Sequence, residues 1–269
     1  LYAYKERQKE LMKLEVKNLT GGYGKKVVVN NLSFSAVSGD MIYVLGPNGG
    51  GKTTMFNMLI GYKKRNSGDI LLHGIDIETL TEIELARKVA YIPQDHVPAF
   101  NYTVEDVVLM GRTCHLKRFA MPQKSDYDIV HETLVTLGIE DFAQREYMEL
   151  SGGERQLALI ARALCQKAEI FVMDEPLTGL DFANKAMVTS ALKGLAKTGY
   201  TIIMSTHNAI NNYSDDDKIL LVTAQGEGIF GDINSIISNN TIEKAYKIPL
   251  QTICSVDKNG GRHLLCLPI

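Results

Sequence analysis

Nine consecutive residues, Gly46-Pro47-Asn48-Gly49-Gly50-Gly51-Lys52-Thr53-Thr54, restrict the possible folds more than any other stretch of the chain. They fit the pattern G-x-x-x-x-G-K-[ST], with Gly46, Gly51, Lys52 and Thr53 in its fixed positions. Met41 to Leu45 ahead of them is a short apolar run, as expected of a strand buried on both faces, and Thr54 to Ile60 can run as a helix until Gly61 ends it. Glycines let the backbone curl so that successive N–H groups point inward at phosphate oxygens, and the helix N-terminus adds the positive end of its dipole. Asn48, Gly49, Gly50, Gly51 and Thr54 are the candidate contacts beside Lys52 and Thr53. Lys52 would place its charge between the β- and γ-phosphates, and the Thr53 hydroxyl would ligate Mg²⁺. A glycine-rich turn that merely enters a helix is the plainer alternative, and the flanking strand and helix weigh against it. The pattern indicates a nucleoside triphosphate without saying what use is made of it.

At 269 residues the chain suits one large domain, or a core with an inserted subdomain. Its 29 basic and 31 acidic side chains nearly balance, so no general attraction to nucleic acid is expected. The cysteines at 114, 165, 254 and 266 have no C-x-x-C spacing and read as reduced thiols rather than metal ligands or disulfides. No apolar run approaches the roughly 18 residues needed to cross a bilayer, and no signal peptide is visible. Any service to a membrane is therefore expected to pass through a partner. The mixed charges of Lys5 to Glu10 read as a solvated helical turn or an expression remnant.

Leu14-Glu15-Val16, Val27-Val28-Val29 and Leu32-Ser33-Phe34-Ser35 read as strands of an antiparallel sheet, joined by Gly21-Gly22-Tyr23-Gly24. Tyr23 in that turn is either a surface residue or a flat ring on which a purine can stack. Asp69 to Leu72 is a further strand, Thr81 to Arg87 a helix, and Val89 to Ile92 a strand ending in Pro93-Gln94. Gln94 then lies at the carboxyl edge where open α/β sheets place ligands, and its amide could ligate Mg²⁺ and orient water. From about Asp95 to Gln166 the pattern turns helical, with a cap at Thr103 and an apolar face at Ile129, Leu134 and Leu137.

That helical stretch ends in Leu150-Ser151-Gly152-Gly153-Glu154-Arg155-Gln156, and Leu157, Ile160, Ala161 and Leu164 continue it at helical spacing. Ser151 and Glu154 satisfy a capping box, but a cap does not require two glycines, which cost about 1 kcal/mol each in a helix relative to alanine. What they offer is uncluttered N–H groups beside a hydroxyl, a second phosphate site. Ile170 to Met173 is a buried strand from which Asp174 and Glu175 emerge, Asp174 to bind Mg²⁺ through water and Glu175 to polarise the attacking water. Leu177 to Asp181 is a turn into another helix, and Thr201 to Ser205 is a strand closed by Thr206-His207, where His207 could contact the γ-phosphate. Ile219 to Phe230 reads as a hairpin around Gln225-Gly226-Glu227.

Taken in order, these stretches resemble the nucleotide-binding subunit of an ATP-binding cassette (ABC) transporter over about Leu14 to Ile237, and Leu150 to Gln156 is that family's own signature. The resemblance implies an α/β P-loop NTPase core, a mixed sheet with an antiparallel β subdomain, and an inserted α-helical subdomain. One ATPase domain would span 12–240 with its insertion at about 95–166, preceded by an extension at 1–11 and followed by a small appendage at 241–269. Tyr23 matches the aromatic A-loop, Gly46 to Thr54 Walker A, Gln94 the Q-loop and Asp174 the end of Walker B. Glu175 matches the catalytic glutamate, Asp181 the D-loop and His207 the switch histidine. Gly50 departs from the serine that many members carry, which removes a side-chain donor and leaves the backbone cradle intact.

Related proteins work as head-to-tail dimers that hold Mg²⁺-ATP between Lys52 of one copy and Ser151 to Gly153 of the other. The resemblance therefore implies a second copy of the chain, a transmembrane permease whose coupling helix enters a groove near Gln94, and indirectly an extracytoplasmic solute-binding protein. The chain would sit at the cytoplasmic face of the membrane. Met110-Gly111-Arg112-Thr113-Cys114-His115, followed by Asp128, Gly138 and Arg145, looks like the ATPases of importers for siderophore-bound iron, haem and cobalamin, with Cys114 where proline is common. Two other readings compete. A soluble ABC protein acting on nucleic acid or the ribosome is opposed by a single cassette without a basic patch, and a binding module without turnover by Glu175 and His207.

Overall fold

The computed structural model describes residues 12–94, 100–206, 212–213, 216–236, 239–246, 250–256 and 262–268. Two long strands, β1 (Met12–Tyr23) and β2 (Lys26–Val37), pair antiparallel and lead into β3 (Met41–Leu45), the phosphate-loop motif and α1 (Lys52–Leu59). Next come β4 (Ser67–Leu72), β5 (Ile75–Asp76), α2 (Glu82–Ala86) and β6 (Val89–Ile92). Three helices follow: α3 (Val104–Leu109), α4 (Lys124–Leu137) and α5 (Gly152–Cys165). The chain then alternates through β7 (Ile170–Met173), α6 (Phe182–Lys197), β8 (Thr201–Ser205) and β9 (Asn212–Tyr213). It closes with β10 (Lys218–Val222), β11 (Gly228–Asp232), α7 (Ile233–Ile236), α8 (Asn239–Tyr246), β12 (Leu250–Val256) and β13 (Arg262–Pro268).

The central sheet runs β11-β10-β3-β8-β7-β6, parallel except for β11, and a second, antiparallel sheet runs β2-β1-β4-β5. Every residue of β3, β7 and β8 is buried, which explains why these strands read as unbroken apolar runs and not as alternating ones. Their side chains still alternate between two cores. Met41, Tyr43 and Leu45 of β3 join the larger core with the helices of the 104–165 segment, while Ile42 and Val44 join the smaller one. The smaller core takes Met55, Phe56, Met58 and Leu59 from α1 and Leu14, Val16 and Leu19 from β1, so the loop helix is fixed by both sheets. Among the described residues no helix is long and apolar enough to cross a membrane.

Several expected boundaries move. Gly21, Gly22 and Tyr23 lie in β1 and not in a turn, and the joining turn is confined to Gly24-Lys25. A Cβ on Gly22 would sit 1.9 Å from the Lys26 carbonyl oxygen, so glycine is there for close approach across the hairpin. The two strands expected at 27–29 and 32–35 are one strand, β2, with an irregular register and a left-handed Asn31 at φ 51°. The loop helix begins at Lys52, and Thr81 caps α2 from outside it through a reciprocal bond pair with Glu84. Residue 241, the expected start of an appendage, falls within α8, whose Ile242 and Ala245 are buried in the larger core. Cys114 and Cys165 are free thiols, and the side chains of Cys254 and Cys266 lie outside the described set.

Candidate functional site

Where β3 ends, the backbone turns at Gly46 and α1 starts with Gly51 as its N-cap at φ 101°, a conformation glycine adopts without strain. That cap makes no side-chain hydrogen bond, and the first turn of α1 holds no acidic residue. The first N–H groups of the helix thus receive no side-chain cap from Gly51 and no first-turn carboxylate, the arrangement an anion-binding helix start calls for. The pocket there has a volume of about 390 Å³ and is lined by Val28, Asn48, Gly49, Gly51, Lys52, Thr53, Thr54, Gln94 and Glu175. The sequence-predicted phosphate loop, Gln94 and the candidate base thus meet in one cavity.

The side chains around that cavity are already organised. Lys52 is buried and its Nζ donates to the carbonyl oxygens of Gly46 at 2.8 Å and Pro47 at 3.1 Å, so two of three N–H groups brace the loop. Burial pushes the Lys52 ammonium below its ordinary pKa, and the carboxylates of Glu175 and Asp174 oppose that shift. Thr53 Oγ1 donates to Asp174 Oδ2 at 2.6 Å, bringing together two of the three predicted magnesium ligands. On the other side of the same carboxylate, Ser205 Oγ donates to Asp174 Oδ1 at 2.7 Å and accepts from the Glu175 N–H at 2.8 Å. Burial, with Asp174 adding to it, pushes the nearby Tyr91 phenol up to about 12, so it stays neutral.

Glu175 has a left-handed backbone, φ 50°, which costs a non-glycine residue about 1–2 kcal/mol and turns the chain out of β7. Its carboxylate lines the pocket and accepts from Thr178 Oγ1 at 3.2 Å. The oxygen donors of Thr53, Asp174 and Gln94 suit a hard cation. Among the described residues no group of three or more His, Cys, Asp or Glu could cage a metal by itself. Mg²⁺ takes one or two carboxylates and completes its shell with phosphate oxygens and water, so the single carboxylate of Asp174 beside the Thr53 hydroxyl has the donor chemistry for it. Thr53, Asp174 and Gln94 would hold it, and when bound it would neutralise developing charge on the phosphates.

Tyr23, Ser151, Gly152, Gly153, Glu154 and Asp181 are not among the residues that line this pocket. Tyr23 is 57% exposed at the end of β1, with Lys63 Nζ 4.1 Å from its ring centroid. Ser151 caps α5, and both halves of the predicted box form: Ser151 N–H donates to Glu154 Oε2 at 2.7 Å and Glu154 N–H to Ser151 Oγ at 3.4 Å. Glu154 also accepts from Arg145 Nη1 at 3.2 Å, and the Ser151 N–H bond comes first among the contacts that hold its carboxyl below the usual range. Ser151 and Gly152 are exposed, whereas Gly153 is buried against α6. A Cβ on Gly153 would lie 2.3 Å from Asn184 Oδ1, so this glycine has a packing reason that sequence reading did not find. Asp181 caps α6 by accepting from Asn184 N–H at 2.8 Å and Nδ2 at 3.0 Å. His207 lies outside the described residues. Ser205, the link between Asp174 and Glu175, was also missed; its signal was a hydroxyl closing an otherwise apolar buried strand.

A glycine loop between a buried parallel strand and an uncapped helix start, with carboxylates at the end of a strand of the same sheet, defines a P-loop nucleoside triphosphatase. The chain belongs to the ABC transporter ATPases: the family profile described as ABC transporter matches residues 29–178. The manganese transport system ATP-binding protein of Bacillus subtilis is 32% identical over 235 residues, covering 87% of this chain and 92% of its own. A Helicobacter pylori ATP-binding protein assigned to iron chelatin transport is 34% identical over 253 residues, covering 92% and 98%. A solved transporter assigned to the metal-chelate type, in an inward-facing conformation, matches with TM-score 0.83 and 31% identity over 95% of this chain and 98% of its own. The chain is accordingly an ATP-binding ATPase whose hydrolysis is coupled to transport.

Proposed function

We propose that this chain powers uptake of a metal chelate, of the iron-siderophore, haem or cobalamin kind, through a separate membrane permease. Two copies would close head-to-tail on Mg²⁺-ATP, with Lys52 and Thr53 of one copy and Ser151 to Gly153 of the other on the same triphosphate. Glu175 would act as general base, Gln94, Asp181 and His207 as partners around the γ-phosphate, and Tyr23 as the stacking surface for adenine. The observation that carries the reading is the shared pocket of Lys52, Thr53, Gln94 and Glu175, with Asp174 hydrogen-bonded to Thr53. The chelate class draws support from the relative assigned to iron chelatin transport and the metal-chelate type structure, and the manganese relative defines the competing cargo.

A permease segment has a natural seat. A groove of about 860 Å³ is lined by Tyr62, Leu80, Leu85, Met110, Gly111 and Arg162, between the antiparallel sheet side and the helical segment. A Cβ on Gly111 would sit 2.2 Å from the Arg162 carbonyl oxygen, so the glycine in Met110-Gly111-Arg112 allows this groove wall to close on α5. The test is copurification from detergent-solubilised membranes with a transmembrane permease, followed by ATP-dependent uptake of labelled iron chelate or manganese in vesicles. Recovery of nucleic acid and no permease would favour the soluble alternative. Manganese uptake without chelate uptake would replace the cargo while leaving the ATPase assignment in place.

A further inference from the structure

The C-terminal segment supplies a contact to the phosphate loop that none of the sequence motifs contains. We infer that Tyr246 is a positioning residue for nucleotide binding, an inference that rests on the assignment of the Gly46–Thr54 loop as the ATP site. The Gly46 N–H donates to the Tyr246 phenol oxygen at 3.1 Å, across 200 positions of sequence. The parallel ladder between β3 and β10 runs as far as Leu45 opposite Leu221 and stops there. Tyr246 takes over as acceptor at the first residue past the ladder.

Gly46 has little other freedom. Its φ of 149° belongs to backbone that glycine tolerates, and a Cβ there would meet the Val222 carbonyl oxygen at 2.3 Å. Its own carbonyl accepts from Lys52 Nζ at 2.8 Å. Both polar groups of this residue are therefore held by side chains, one from the loop itself and one from α8. The phenol is not a loose arm: Ile242 and Ala245 are 2% and 0% exposed in the core that also contains Leu45 and Leu221, and the Tyr246 ring packs against that core. Beyond α8 the chain returns as β12 and β13, and β13 pairs with β9 through Arg262 opposite Tyr213 and His263 opposite Asn212. The same segment thus touches the start of the phosphate loop and the stretch downstream of β8, the strand whose Ser205 holds Asp174.

Gly46 orients the peptide from which the loop's later N–H groups are hung. Removing its acceptor frees the loop to rotate away from the arrangement a triphosphate needs, and binding must then restore it. Tyr246→Phe keeps the ring and removes the oxygen. With purified full-length chain, the expected result is a 5–10-fold rise in Kd and KM for ATP, about 1–1.4 kcal/mol at 1.4 kcal/mol per tenfold, with kcat at saturation unchanged. The melting temperature of the nucleotide-free chain should fall by no more than about 4 °C, the share of one lost hydrogen bond, because the core contacts of α8 remain. Lys52→Ala is the control that separates the two claims. If Lys52→Ala abolishes ATP binding and Tyr246→Phe leaves Kd and KM unchanged, the Tyr246 inference alone is overturned. A joint fall of kcat and melting temperature would also overturn it, by showing a merely structural role. If Lys52→Ala binds ATP as wild type does, the site assignment fails and the Tyr246 inference falls with it.

Discussion

Gly153→Ala puts a number on why two glycines open α5. An ideal Cβ at this position lies 2.3 Å from Asn184 Oδ1, 2.5 Å from Cγ and 2.8 Å from Cβ, so the clash reaches past the mobile end of the side chain. Overpacking of this kind costs about 1–3 kcal/mol. Displacing Asn184 also breaks its Nδ2 bond to Asp181 Oδ2, 3.0 Å long, worth a further 0.5–1.5 kcal/mol or so. Against this stands the helix preference of alanine over glycine, at most about 1 kcal/mol and less in a first turn. The balance is a destabilisation of about 2 kcal/mol, read as a shift of about 4–8 °C in melting temperature or directly from urea unfolding. The decisive measurement is a double-mutant cycle with Asn184→Gly, which removes all three clashing atoms. In that background Gly153→Ala should become neutral or slightly stabilising, giving a coupling of about 2 kcal/mol. An equal cost in both backgrounds would show that the glycine is required for something other than the room Asn184 takes, and the packing explanation would be discarded.

Two further outcomes follow from the pocket. Glu175→Gln should retain ATP binding and lower phosphate release by at least about 100-fold, leaving an ATP-held dimer on gel filtration; undiminished turnover would remove Glu175 as the base. Burial lowers the Lys52 pKa, which disfavours its charged form, and a bound triphosphate favours that form. ATP affinity should therefore fall as pH rises through the lowered value, with net proton uptake on binding between that value and the ordinary one. Calorimetry in buffers of different ionisation enthalpy reads the uptake, and persistence of the same uptake in Lys52→Arg would assign it to another group.

The parts of the site that sequence made legible are those where chemistry needs a residue type at a fixed offset along the chain. The loop from Gly46 to Thr54, the Ser151–Glu154 box and the carboxylates after β7 all satisfy local rules; in the structure the loop lines a pocket, the box forms, and Asp174 accepts from Thr53. What stayed hidden depends on partners far apart in sequence. Ser205 meets Asp174 across 31 positions, Tyr246 meets Gly46 across 200, and the fit of Gly153 against Asn184 is a property of two helix starts brought together. The strand boundaries failed for a related reason. Gly21 and Gly22 look like turn residues, but within β1 they are where another backbone or Met58 comes too close for a side chain.

These long-range contacts join features that local reading treats separately. Glu175 accepts from Thr178; three residues later Asp181 caps α6 and holds Asn184; and Asn184 occupies the space against Gly153, two residues after Ser151. In the proposed dimer Glu175 serves the chain's own ATP, while Ser151 and Gly152 serve the ATP of the second copy. The segment from Glu175 to Asn184 therefore spans two nucleotide sites within one chain. Because α5 starts in contact with the first turn of α6, a tilt of α5 on meeting a neighbour's triphosphate must either push Asn184 or carry α6 with it. Packed interfaces of this kind respond in discrete steps and do not deform continuously. The Gly153–Asn184 cycle consequently has a second readout in hydrolysis. If the contact transmits closure, Gly153→Ala lowers turnover as well as stability, and Asn184→Gly restores the fold of that variant without restoring the coupling between the two sites.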